Sequence, residues 1–62
     1  MQLTEDHARK VRRKRADLRL TKKATAEKLG IKPQTLTKVE QGNYDAPKRI
    51  YQSVMEWLVE DY

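Results

Sequence analysis

The sequence contains no cysteine, and a single histidine. No disulfide and no thiolate zinc site can therefore hold the chain together, which fits a cytoplasmic protein. With neither a thiol nor a second histidine, His7 is no metal site, and a solvated helix residue is its expected role. Apolar runs are only a few residues long, so no segment is suited to span a membrane. The N-terminus lacks the apolar core of a signal peptide. There is no Gly-rich phosphate loop, no set of nucleophile, base and orienting group, and no internal repeat. Catalysis is not expected, and neither is a cofactor or a small-molecule substrate.

The 62 residues make one domain, 1–62. A chain of that length buries only about 60% of its unfolded surface, which leaves no room for a deep pocket with supporting layers. Charge is unevenly placed. Residues 1–32 hold eleven Lys/Arg and four Asp/Glu, a balance of +7, and residues 33–62 hold three and five, a balance of −2. A basic half and an acidic end point to a polyanion met in one orientation; a merely solvated surface is the other reading.

The segment 21–42, TKKATAEKLGIKPQTLTKVEQG, organises the rest. Thr21 suits a helix N-cap, Lys22 to Leu29 follow without a breaker, and Gly30 supplies the positive φ that ends a helix. Ile31 plugs the turn. Pro33 then opens a second helix, where its missing N–H has no partner to lose. Leu36 and Val39 share its inner face, and Gly42 stops it. Two short helices around a glycine turn are the helix-turn-helix signature, here 21–41.

Before it, Leu3 to Leu18 reads as a helix, capped by Thr4 with Glu5 and Asp6 in its first turn. Leu3 is positioned to pack on Ala8. Val11 and Leu18 form a thin apolar stripe on an otherwise basic rod. After it, Asn43 to Pro47 is a loop by turn chemistry, with Asp45 as a candidate cap and Pro47 in the first turn of a last helix. Lys48 to Tyr62 is one helical pattern. Ile50, Val54, Trp57 and Leu58 form one stripe, and Tyr51, Met55, Val59 and Tyr62 a second. That is more apolar surface than one side of so small a domain covers. Trp57 suits either the core or an interface, and with Leu58 and Tyr62 it is a candidate dimer contact. Glu56, Glu60 and Asp61 lie at the unfavourable end of the helix dipole, so this end is expected to fray without a partner.

If Leu36 and Val39 face the core, the opposite face shows Gln34, Thr37, Lys38 and Gln41, with Lys32 and Pro33 at the leading end. Gln can bond adenine N6 and N7 in pairs and Lys can donate to guanine O6 and N7. Thr and the proline ring offer apolar contact to a thymine methyl. Thr35 suits a supporting role at the helix start. Phosphate contacts are expected at the start of the helix over 22–29, from Thr21 and Lys22. Others are expected from Gln41 and Asn43 after the second helix and from Lys48 and Arg49 at the start of the last. Lys10 and Lys14 are further candidates. Tyr44 suits a phosphate contact or a cover for the core.

The segment from Val11 to Pro47 resembles the Cro/CI-type (Xre-like) helix-turn-helix repressors of phages, plasmids and bacteria. Arg15, Leu18, Leu20-Thr21, Ala26, Leu29-Gly30-Ile31, Thr35-Leu36, Val39-Glu40, Gly42 and Pro47 carry the match without a gap. The resemblance implies an all-α, compact lambda-repressor-like domain of four to five helices. It implies base reading from Pro33, Gln34, Thr37 and Lys38, and an ion pair between Arg15 and Glu40. It also implies double-stranded DNA as partner, a homodimer on palindromic half-sites, and a prokaryotic or phage-encoded cytoplasmic protein. The chain departs from the family pattern at Lys22, Thr25 and Lys32, and in lacking a breaker within its long C-terminal helix. With no sensor segment, a minimal Cro-type repressor is expected. A protein-interaction module, antitoxin or adaptor, using the last helix is the alternative.

Overall fold

A computed structural model describes residues 1–60. The order of elements is β1 (Gln2–Leu3), α1 (Glu5–Asp17), α2 (Lys22–Leu29), α3 (Pro33–Gln41), β2 (Tyr44–Asp45) and α4 (Lys48–Val59). It is the expected all-α domain with one small ribbon added.

Each helix boundary has a local cause. Thr4 Oγ1 accepts from the His7 amide at 3.3 Å, and His7 Nδ1 accepts from the Thr4 amide at 3.1 Å. This reciprocal capping box satisfies two amides left over at the start of α1. His7 is therefore not the solvated residue expected. Its ring nitrogen takes the place of the usual Glu or Gln oxygen, and the ring meets Tyr51 edge-on at 6.2 Å between centroids. At the other end the Leu20 amide reaches back to the Arg15 carbonyl at 3.0 Å, and after α2 the Ile31 amide reaches the Ala26 carbonyl at 2.9 Å. The two closures are alike, each with a left-handed residue inside it: Gly30 (φ 68°) in one and Arg19 (φ 56°) in the other. A side chain in that conformation costs about 1–2 kcal/mol.

The N-terminal residues depart from expectation. Leu3 does not begin a helix; it lies in β1, antiparallel to β2, with Gln2 opposite Asp45 and Leu3 opposite Tyr44. The Ala46 amide donates to the Met1 carbonyl at 2.8 Å. Asp45 does not cap α4 but receives the Met1 ammonium at 3.2 Å. Pro47 is the N-cap of α4 rather than part of its first turn, and no side chain caps that helix. Two-residue strands show no periodicity in a sequence, and their pairing joins segments more than forty residues apart.

The core comprises Leu3, Val11, Ala26, Leu29, Leu36, Val39, Ala46, Ile50, Val54 and Trp57, so every helix contributes to a single cluster. Three buried polar residues complete it: Lys14, Thr25 and Glu40. Thr25, one of the positions that depart from the family pattern, is fully buried, and its hydroxyl donates to the Thr21 carbonyl at 2.9 Å. Lys14 is no phosphate contact. Its Nζ donates to the carbonyls of Trp57 and, at 3.1 Å, Glu60, and lies 4.8 Å from the centre of the indole. A cation is thereby placed at the negative end of α4, where the acidic residues could not serve. Trp57, 5% exposed, belongs to the chain's own core and has little surface left for a partner. Leu58 is half-buried and Val59 is 81% exposed. Tyr62, the third candidate dimer contact, lies outside the described residues, as does Asp61.

Candidate nucleic-acid interface

α2 and α3 have the bounds that Thr21, Gly30, Pro33 and Gly42 impose. Thr21 Oγ1 accepts from the Ala24 amide at 3.1 Å. Lys32, the N-cap of α3, offers no side-chain bond, and Pro33 follows it at the first helical position. α3 is fixed from behind in three ways. Leu36 and Val39 are fully buried. Arg15 Nε donates to Glu40 Oε2 at 2.7 Å, with Glu40 6% exposed. Arg12, which nothing in the sequence singled out, donates from Nη1 to the Glu40 carbonyl at the end of the helix. Two arginines of α1 thus hold one residue of α3, by its side chain and by its backbone.

A fourth constraint is steric. At Gly42 (φ 90°) a Cβ would lie 3.0 Å from Glu5 Cα, so the end of α3 closes on the start of α1 more tightly than a side chain fits without displacing the Glu5 backbone.

With that side committed, Pro33, Gln34, Lys38 and Gln41 are exposed and Thr37 is half-buried. Gln34, Lys38 and Gln41 have no hydrogen bond or ion pair among the described residues, so their donors and acceptors are available to a ligand. Thr37 is different: its Oγ1 donates to the Pro33 carbonyl at 3.1 Å. Of the expected flanking cations, Lys22, Lys32, Lys48 and Arg49 are all exposed. Arg49 Nη1 also donates to the Gly30 carbonyl at 3.4 Å, tying the start of α4 to the turn between α2 and α3. An open cleft between these two elements is lined by Gly30, Ile31, Lys32, Thr35, Arg49 and Ile50. Asn43 is exposed with φ 54° and directs the chain from α3 into β2. Tyr44 is half-buried against the core, which favours its covering role.

Of the two α1 residues whose roles the sequence did not show, only Lys14 has a signature in it. Val11, Lys14 and Leu18 are spaced three and four apart, so Lys14 stands within the apolar stripe of α1. Its burial was legible from spacing alone. Arg12 carried no such mark, because its partner is a backbone carbonyl of another helix.

No helix among the described residues is long and apolar enough to cross a membrane. No curated protein and no solved structure matches the chain at a significant level. A family model described as Helix-turn-helix matches residues 11–50, 40 of the 62. That span takes in α1 from Val11, the two helices of the motif, the ribbon's second strand and the start of α4. The chain belongs to the Cro/CI-type helix-turn-helix family of DNA-binding transcription regulators.

Proposed function

We propose that the chain is a small Cro-type repressor. Two copies bind the half-sites of a partly palindromic operator about one helical turn apart, each laying α3 in the major groove. The observation that carries this reading is the outward face of α3, where Gln34, Lys38 and Gln41 stand unpaired while the opposite face is locked by Leu36, Val39 and Glu40. Thr21, Lys22, Asn43, Lys48 and Arg49 flank that face as phosphate contacts. Lys32 and Pro33 meet bases at its leading end. Dimerisation uses α4, through Leu58 with Met55 and Val59 rather than through Trp57.

Selection of bound sites from random duplex DNA tests this directly. A palindromic consensus bound by two copies is the expected result. A consensus without two-fold symmetry, bound by one copy, would remove the dimer and leave the reading helix.

A second reading has its own observation. Val59 is 81% exposed next to half-buried Met55 and Leu58, which suits an adaptor or antitoxin that docks another protein on α4. Sedimentation separates the two. A chain that stays monomeric at high concentration and selects no DNA would favour the adaptor.

A further inference from the structure

We propose that Pro33 and Thr37 form an apolar rail along α3 that reads thymine 5-methyl groups, beside a polar rail of Gln34 and Lys38. The inference rests on α3 being the reading helix, as proposed above. Residues four apart share a helix face, so the pairs Pro33–Thr37 and Gln34–Lys38 run side by side.

The assignment turns on one hydrogen bond. A threonine facing DNA can offer its hydroxyl to a base edge or its methyl to an apolar one. Here the hydroxyl donates back to the Pro33 carbonyl at 3.1 Å. Its proton is used within the helix, in a bond that is itself exposed, so the hydroxyl can still accept but has no proton for a thymine O4, and the γ-methyl is the group suited to an apolar edge. The contrast with Thr25 is instructive. Thr25 makes the same bond, four residues back to the Thr21 carbonyl, but it is fully buried, and its methyl is spent on the core. Thr37 is only half-buried, and Pro33, four residues before it, is exposed. Proline has no amide proton, and its ring is hydrocarbon. The two residues therefore present neither donor nor charge on this strip.

Among the four bases only thymine shows a methyl group in the major groove. Four residues of helix rise about 6 Å, close to two base-pair steps of about 3.4 Å. The rail thus spans methyls on neighbouring or next-neighbouring base pairs, while Gln34 and Lys38 face purine edges beside them. The ligand is duplex DNA whose half-site carries closely spaced thymines, recognised by their methyls rather than by O4.

Deoxyuridine provides the test, because it removes the methyl and keeps every hydrogen-bonding group. Sites selected from random DNA are resynthesised with deoxyuridine for each thymidine in turn, and binding is measured by fluorescence anisotropy. Loss of one buried methyl contact, about 0.8 kcal/mol, is about fourfold in Kd. That loss is expected at one or two thymines of each half-site and nowhere else. Thr37→Ser, which keeps the hydroxyl and drops the methyl, should erase the loss at one of these positions. Thr37→Val, which keeps a methyl and drops the hydroxyl, should preserve it. Equal binding to every uridine-substituted site overturns the proposal. So does the reverse pattern, in which Thr37→Ser retains the discrimination and Thr37→Val abolishes it, since the hydroxyl would then be the reader. Failure to select any site removes the reading helix itself, and this inference with it.

Discussion

Alanine at the two glycines should have very different costs. Gly30 and Gly42 both have positive φ, but a Cβ at Gly30 meets nothing within 4 Å, whereas one at Gly42 lies 3.0 Å from Glu5 Cα and 3.3 Å from its Cβ. For Gly30→Ala the left-handed conformation costs about 1–2 kcal/mol. The stiffer unfolded chain returns about 0.4–1 kcal/mol of that, leaving a net loss near 1 kcal/mol. For Gly42→Ala the backbone (φ 90°, ψ 166°) lies in a region nearly reserved for glycine, at about 1–3 kcal/mol. The contact with Glu5 adds about 1–3 kcal/mol, because the obstacle is backbone and cannot swing aside. The two add to about 2–6 kcal/mol, and after the same return from the unfolded chain the net loss is about 3 kcal/mol, set against a total stability of roughly 3–9 kcal/mol for a chain of this length. Urea unfolding followed by far-UV circular dichroism measures both. In thermal melts, at about 4–8 °C per kcal/mol, Gly30→Ala should lower Tm by several degrees and Gly42→Ala by more than about 12 °C. Equal costs within about 0.5 kcal/mol would refute the close approach of α3 to α1, and with it the account of how the reading helix is held.

Other substitutions probe separate parts of the molecule. Glu40→Gln keeps the shape but strands the Arg15 guanidinium. It should lose about 2–3 kcal/mol in the same urea assay, below the range of about 3–5 kcal/mol for a fully buried pair, because the Arg15 side chain is 26% exposed. Arg19→Gly removes a side chain from a left-handed residue and should stabilise the fold by about 0.5–1 kcal/mol; a loss instead would mean that the Arg19 side chain makes a contact of its own. Gln34→Ala should cost about 1–3 kcal/mol on the selected site and leave binding to random DNA unchanged. Lys48→Ala should weaken binding to all sequences alike and reduce the salt slope by about 0.9; a change confined to one sequence would make Lys48 a base contact.

The helices of the motif were legible because single residues mark their ends by stereochemistry that needs no partner. Thr21, Gly30, Pro33 and Gly42 place α2 and α3 to the residue. The free face of α3 followed from Leu36 and Val39, since apolar spacing fixes which side is covered. What escaped the sequence depends on pairings between distant segments. The ribbon joins Leu3 to Tyr44, Lys14 reaches across to the end of α4, and Asp45 answers the Met1 ammonium instead of capping a helix. His7 escaped for another reason: imidazole is not the usual partner in a capping box, so the motif went unrecognised. Within the site, the direction of the Thr37 hydroxyl and the tie from Arg49 to Gly30 are choices among rotamers, to which composition and spacing are blind.

The ribbon also sets an order of events during folding. Leu3 is fully buried, yet its strand partner Tyr44 lies forty-one residues further along the chain. The turns that shape α1, α2 and α3 close short loops, whereas the ribbon closes a long one at a greater cost in chain entropy. The reading helix is thus shaped by neighbours in sequence, and the clasp that completes it is the pairing of four residues.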